Sequence, residues 1–341
     1  ANLPRIAGDQ RAALDAYAAG ANAGIAALRV RPWPYLLLRQ SPAPWRAEDS
    51  PLVGVAMYFD LQDADNAREL ALWRIRPHLP EAAYALLVRD GTRWDAPMQG
   101  TPRGDASLPT AGVLDLRRLP APTGPAPGAT ATKGTPGSNN FAVSGALTAD
   151  GRAIVANDMH LGLRAPNLWF RARLRYPDPD APGGRVDVQG VTLPGLPGVI
   201  VGSNGHVAWG FTNSYGDYLD WKRERPCGSP AMAACARVVR HRERIAVAGG
   251  APVDLDVEET DWGPIAHRET DGRVLALRWT AHREGGVNLG LLRMARARDA
   301  ADALRIADGI RIPTQNLVLA DRDGAIAWRL LGLLPRRADG C

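Results

Sequence analysis

A chain of 341 residues that is 45% hydrophobic and 23% charged can bury one large core or two ordinary ones, and its composition is that of a soluble globular protein. The net charge of +5 comes almost wholly from arginine, with Lys133 and Lys222 the only lysines. Those arginines are scattered and many sit beside Asp or Glu, which excludes the clustered basic face that nucleic acid requires. No apolar run reaches the roughly 18 residues of a membrane-spanning helix, and the polar start "ANLPRIAGDQR" carries no signal peptide. A chain that begins without methionine reads as truncated.

The first hundred residues read as helical. Over residues 9–28, Ala13, Leu14, Tyr17, Ala18, Ala21, Ile25 and Leu28 fall on one helical stripe, with Asp9 as N-cap. The proline-punctuated "RPWPYLLLRQSPAPW" is a loop or short turn. "ADNARELALWRI" and "PEAAYALLVR" are two further helices, the second opened by Pro80. The run "LPAPTGPAPGATATKGTPG", residues 119–137, has no apolar periodicity and cannot bury enough surface to offset its ordering, so it reads as a mobile spacer.

From Ser138 the signal changes. Asp150-Gly151, Asn204-Gly205, Asp271-Gly272 and Asp323-Gly324 are Asx-Gly pairs flanked by short apolar or alternating runs. They signal tight hairpin turns, because both central positions accept positive φ. "FAVSGALTADGRAIVAND", "VIVGSNGHVAWGFT", "GRVLALRWTA" and "NLVLADRDGAIAWRL" are therefore arms of an antiparallel sheet system, interrupted by one helix near 299–307. Helices followed by stacked strands define an α+β protein. The chain thus divides into a helical part (1–118), a spacer (119–137) and a β part (138–341). Cys227 and Cys235 bracket a short loop and form either a disulfide, given an oxidising compartment, or two unpaired thiols.

The spacer runs directly into a strand at "GTPGSNNFAVSG". If the Gly137–Ser138 bond breaks, Ser138 gains an α-amino group beside its own hydroxyl. Such an amine, with a pKa of about 7.7–8.0, can serve as general base, so that nucleophile and base belong to one residue. Glycine before the serine leaves room for the hydroxyl to attack the preceding carbonyl and cut its own chain. Read by itself, "GS" is more often ordinary linker, and the histidine of "NDMHL" is more often structural.

"GSNNFAVSG…GRAIVANDMHLGL" resembles the penicillin acylase family of N-terminal-nucleophile hydrolases, in which a Gly-Ser-Asn-Asn start is followed by an Asn-Asp-Pro-His-Leu segment; Met159 stands in the proline position. "LPGLPGVIVGSNGHVAWGFTNSYGDYLD", "PTQNLVLADRDGAIAW" and "GLLPRR" resemble later family segments, and "LDAYAAGANAGI", "SPAPWRAEDS" and "NAREL" resemble its small α subunit. The resemblance implies a four-layer αββα sandwich, here incomplete at both ends. It also implies cleavage at Gly137–Ser138 into α and β chains of one precursor, and a periplasmic or secreted location. The activity implied is hydrolysis of a linear amide, such as the side-chain amide of a penicillin or cephalosporin or an N-acyl-homoserine lactone, with quorum quenching as one outcome.

By the same resemblance Ser138 is the nucleophile, its amine acting through a water, and His160 orients that amine or water. Asn213 supplies a backbone N–H and Asn316 a side-chain amide to the oxyanion hole, and Arg337 lies near the nucleophile. Asp217, Asp220, the Leu219 carbonyl and Glu69 are expected to hold a structural calcium ion, oxygen ligands being what a hard cation takes; no organic cofactor is expected. Two other readings stand beside this one. Ser138, His160 and Asp158 could form an ordinary triad, although two residues spaced two apart on an extended segment point the same way without facing each other. The chain could also be an inactive fragment or a secreted β-rich binding module. Only the first reading needs a new N-terminus at Ser138.

Overall fold

The computed structural model describes residues 3–62, 66–89, 91–97, 100–118, 137–162, 165–228 and 234–337. The spacer up to residue 136 and Cys341 lie outside them. The chain separates into two compact units, one made of Ala1–Ala64 with Pro136–Cys341, the other of Asp65–Thr135. The helical part expected over 1–118 is therefore divided in space, and its first half shares a unit with the strands.

In the larger unit the N-terminal helices are α1 (Leu3–Ala7), α2 (Arg11–Ala26), α3 (Trp33–Leu37) and α4 (Asp49–Leu61). On the expected stripe Leu14 and Ala18 are buried, whereas Leu28 is exposed. Asp9 does not cap α2; it sits in a short 3-10 turn and pairs with Arg293 at 2.7 Å. Helix α4 has no periodic signal in the sequence, because its buried residues are Ser50, Pro51 and Tyr58 rather than an aliphatic stripe. Tyr58 packs edge-on against Trp279, with ring centroids 5.8 Å apart, and its hydroxyl donates to the Gly286 carbonyl at 2.6 Å. Burial pushes the Tyr58 phenol pKa well up. The smaller unit contains α5 (Ala67–Ile75) and α6 (Glu81–Leu87), whose buried residues are Leu70 and Ala83.

Among the described residues thirteen strands follow: β1 (Ser138–Val143), β2 (Ile154–Met159), β3 (Phe170–Pro177), β4 (Arg185–Thr192), β5 (Val201–Ser203), β6 (Val207–Asn213), β7 (Leu219–Glu224), β8 (Val239–Ile245), β9 (Val253–Glu259), β10 (Ile265–Arg268), β11 (Val274–Trp279), β12 (Gln315–Asp321) and β13 (Ile326–Leu331). Helix α7 (Ala300–Asp308) precedes β12 and is capped by Asp299, whose carboxylate accepts from the Asp302 N–H at 2.7 Å. The largest sheet is antiparallel, in the order β13-β12-β6-β5-β4-β3. Along β6 the alternate residues Val207, Trp209 and Phe211 are buried in a core shared with Met294, Ala303 and Ala307. That core covers one face with α7. The opposite face meets the β1–β2 pair: a Cβ added at Gly210 would stand 2.8 Å from the Asn157 Cβ. The architecture is α+β, and helix, sheet and sheet stack in that order.

At the four Asx-Gly turns only the glycine is left-handed, with φ of +77° at Gly151, +81° at Gly205, +81° at Gly272 and +93° at Gly324. Both central positions accept positive φ, and here only the glycine uses it. Asp150 accepts from the Arg152 N–H at 3.1 Å, Asn204 from His206 at 2.9 Å and Asp271 from Arg273 at 3.0 Å. Each such Asx bond closes the turn locally and leaves the next position, the glycine, to take the left-handed conformation. Cys227 and Cys235 are joined as a disulfide.

Candidate active site

Strand β1 begins at Ser138, so the seam read in the sequence is the edge of the sheet system. Its antiparallel register sets Ser138 opposite Met159, Asn139 opposite Asp158 and Asn140 opposite Asn157. The Ser138 Oγ accepts a hydrogen bond from the backbone N–H of His160 at 3.3 Å. Gly137 lies outside the strand.

What holds β1 and β2 onto the large sheet is Asn157, a residue quoted in the motif but given no role there. Its amide donates to the Asn139 carbonyl at 3.1 Å and to the Phe211 carbonyl at 2.8 Å, and its Oδ1 accepts from the Phe211 N–H at 3.3 Å. One side chain thus replaces ladder bonds between two sheets. The far end of β1 is fixed by backbone. Gly145 N–H donates to the Gly324 carbonyl at 2.9 Å, and a Cβ on Gly145 would come within 2.0 Å of the Gly151 oxygen.

Ser138 and Asn213 both line a cavity of about 120 Å³ whose wall is otherwise almost all carbon, including Met57, Leu161, Val199 and Phe211. Asn213 ends β6, and its Nδ2 donates to the Leu61 carbonyl at 2.5 Å at the end of α4. Asn316 lies beside it on β12 and donates from Nδ2 to the Asn213 carbonyl at 3.4 Å, while its Oδ1 accepts from the Trp328 Nε1–H at 3.2 Å. Its neighbour Gln315, which the sequence reading passes over, faces the cavity and stands opposite Asn213 in the ladder. Strand alternation is the signal that separates the two: adjacent residues point to opposite faces.

The His160 ring is directed elsewhere. Its Nε2 lies 2.7 Å from Asp158 Oδ2, which also accepts from Asn139 at 3.4 Å. Hydrogen bonds from His160 first, and from Asn139, hold the Asp158 carboxyl below the usual carboxylate range. The expectation that these two residues fail to face each other is therefore corrected. The strand ends at Met159, and beyond it the chain leaves the extended alternation that would have kept the side chains parallel.

Arg337 forms a second cluster, apart from these contacts. Its Nε and Nη2 donate to the two Asp220 oxygens at 3.0 Å each, and its guanidinium also reaches the Asp217 carboxylate at 3.1 Å and the Asp217 carbonyl at 3.2 Å. The positive charge between the two expected calcium ligands is thus already supplied by a bidentate guanidinium. Leu219 is buried in β7 opposite Trp279, and Glu69 belongs to the other unit, where it accepts from the Asn66 amide. Among the described residues no three His, Cys, Asp or Glu side chains group as a metal site. As they stand, Asp217 and Asp220 do not fit a divalent cation, which would have to displace the arginine.

Comparison with known proteins places the chain in a class. The family model described as penicillin amidase matches residues 2–340, and the chain belongs to that family. The penicillin acylase 2 proenzyme of Pseudomonas sp. (strain SE83) is 31% identical over 334 residues, covering 95% of this chain and 42% of its own length. The acyl-homoserine lactone acylase QuiP of Pseudomonas aeruginosa is 28% identical over 355 residues, covering 96% of this chain and 40% of its own. The chain therefore spans about two fifths of the length of these curated relatives. Among solved structures, a thermostable penicillin G acylase from Alcaligenes faecalis aligns over 58% of this chain and 36% of its own with a TM-score of 0.49 and 24% identity. No described helix is long and apolar enough to cross a membrane.

Proposed function

We propose that this chain forms part of an acylase that cleaves linear amides and that Ser138 is its nucleophile, freed by cleavage of the Gly137–Ser138 bond. The observation that carries the proposal is the position of Ser138. It is the first residue of a strand and lines an apolar cavity suited to an acyl group. In this reading the hydroxyl attacks the amide carbonyl and its proton passes to the α-amine. The negative oxygen is stabilised by the Asn213 N–H and the Asn316 amide. The C–N bond then breaks, the amine leaves with the proton, and water hydrolyses the acyl ester, restoring the serine. The 31% identity to a penicillin acylase proenzyme and the 28% identity to an acyl-homoserine lactone acylase support the reaction class. The Cys227–Cys235 disulfide supports an oxidising compartment such as the periplasm.

The test is N-terminal sequencing and intact mass of the expressed protein. Active protein should contain a chain beginning Ser-Asn-Asn-Phe, and Ser138→Ala should remain uncut. Active protein whose only chain is uncut would remove the N-terminal-nucleophile reading. The 2.7 Å contact between His160 and Asp158 favours one alternative, a conventional triad. That alternative requires Asp158→Asn to lower turnover by about four orders of magnitude; in the proposed mechanism the loss is tenfold or less, roughly one hydrogen bond in the support of His160.

A further inference from the structure

The cavity beside Ser138 is lined by one buried donor that has no partner among the described residues and that the proposed chemistry does not use. Trp169, just before β3, lines the cavity, and its Nε1–H is buried without a hydrogen-bond partner among the described residues. Four less exposed indoles elsewhere among the described residues are satisfied. Trp209 donates to the Ile200 carbonyl at 2.8 Å, Trp279 to Gln62 at 2.6 Å, Trp45 to Ser50 at 3.1 Å and Trp262 to the Asp220 carbonyl at 3.2 Å. An indole N–H can only donate, and a buried donor left unmatched is costly wherever no acceptor arrives. The wall is mostly carbon, with Met57, Leu161 and Phe211 among its residues, and no described acceptor in it bonds to the indole.

We propose that Trp169 is a specificity-determining residue whose indole N–H receives an oxygen acceptor carried on the acyl chain, so that the cavity prefers oxo-substituted acyl groups to plain hydrocarbon ones. The proposal rests on the cavity being the acyl site, as in the function proposed above. It does not depend on Ser138 acting as nucleophile. An apolar wall gives length-dependent affinity with little discrimination between similar chains, whereas one buried donor discriminates sharply against chains that leave it unsatisfied.

The experiment is calorimetric binding of free fatty acids, which are products and are not turned over. A straight-chain acid is compared with counterparts of equal length whose keto group is moved along the chain. Wild-type protein should bind one keto isomer roughly tenfold more tightly than the plain acid, the gain expected from satisfying one buried donor. Trp169→Phe should bring that ratio to about one, whatever the change in plain-acid affinity, with near-ultraviolet circular dichroism confirming the native fold. Trp169→Leu is the second variant, and it should abolish the ratio in the same way. Equal affinity for all isomers in wild type, or an unchanged ratio in both folded variants, would overturn the proposal. Absence of binding by any acid would also overturn it, together with the assignment of the cavity to the acyl group. Turnover of an acyl amide, measured separately with Ser138→Ala as control, tests the nucleophile whichever way the ratio falls.

Discussion

Two ribbons of the same size stand in opposite circumstances. The β1–β2 pair carries Ser138 and is stitched to the large sheet by Asn157 and by the Gly145–Gly324 contact. The β8–β9 pair is exposed along the whole of β8 and most of β9. An isolated two-stranded ribbon is marginal in water, so each needs a source of order. In β8–β9 it is a ladder on one face: Arg240 with Glu258 at 2.7 Å, Arg242 with Asp256 at 2.7 Å and Arg244 with Asp254 at 2.9 Å, all directly opposite in the register. In β1–β2 order comes from packing against another sheet. The lesson is that the Ser138 hydroxyl is placed by geometry-specific contacts to a second sheet, whereas surface charge pairs suffice where only the hairpin's shape is at stake.

Gly145→Val should break the comparison most severely. Its side chain would overlap the Gly151 oxygen and the Gly324 Cα, which are backbone and cannot swing aside. A loss of about 3 kcal/mol or more is expected, read as a lowered denaturant midpoint or failure to accumulate; an unchanged midpoint would mean that β1 is not anchored there. Asn157→Ala comes next. It removes two hydrogen bonds between the layers and one within the β1–β2 pair and should cost about 1–3 kcal/mol through the partners left unmatched. Turnover should fall further than stability alone explains, and normal turnover in a destabilised protein would show that Asn157 supports the fold but does not position Ser138.

The smallest effect belongs to the charged ribbon. Arg242→Asp should loosen the ribbon only slightly, with the loss restored by Asp256→Arg in the same chain and smaller in high salt. The Arg242 guanidinium holds the Asp256 carboxyl below its usual range. A carboxyl with a depressed folded pKa contributes stability above its unfolded value of about 3.9 and loses it as pH falls through the lower folded value. Protection of the β8–β9 amides, taken against the intrinsic exchange rate at each pH, should therefore fall on acidification below that unfolded value, and the double mutant should titrate the same way. Protection insensitive to both the mutation and pH would remove the ladder as the source of order.

The same contrast explains what could be read in advance. The turns at Asp150-Gly151, Asn204-Gly205, Asp271-Gly272 and Asp323-Gly324 were legible because a left-handed residue must be marked locally, by glycine. Strand β8, "VRHRERI", was not, because nothing in its own seven residues is apolar and periodic; its partner charges lie on β9. Helix α4 was missed for a related reason, since Tyr58 finds its place only against Trp279, far along the chain. At the site, Ser138 stood out because chemistry and chain seam coincide at one residue. Asn157 and Gln315 did not, because their importance lies in which sheet or cavity they face. The contacts of Arg337 with the two carboxylates of "GDYLD" were not legible either, because they join segments more than a hundred residues apart.

One consequence follows from the way residues 1–64 share a unit with 136–341. Ala7, Leu14 and Ala47 pack with Leu289, and Gln62 accepts from the indole of Trp279. A cut at Gly137–Ser138 leaves every one of these contacts intact but assigns their two sides to different molecules. Before the cut, folding is first-order; afterwards, recovery from denaturant requires two chains to meet, and its yield must fall on dilution. The processed protein would then persist by the slowness of its opening rather than by an equilibrium it can re-enter, so that its lifetime is set once, when the chain is cut.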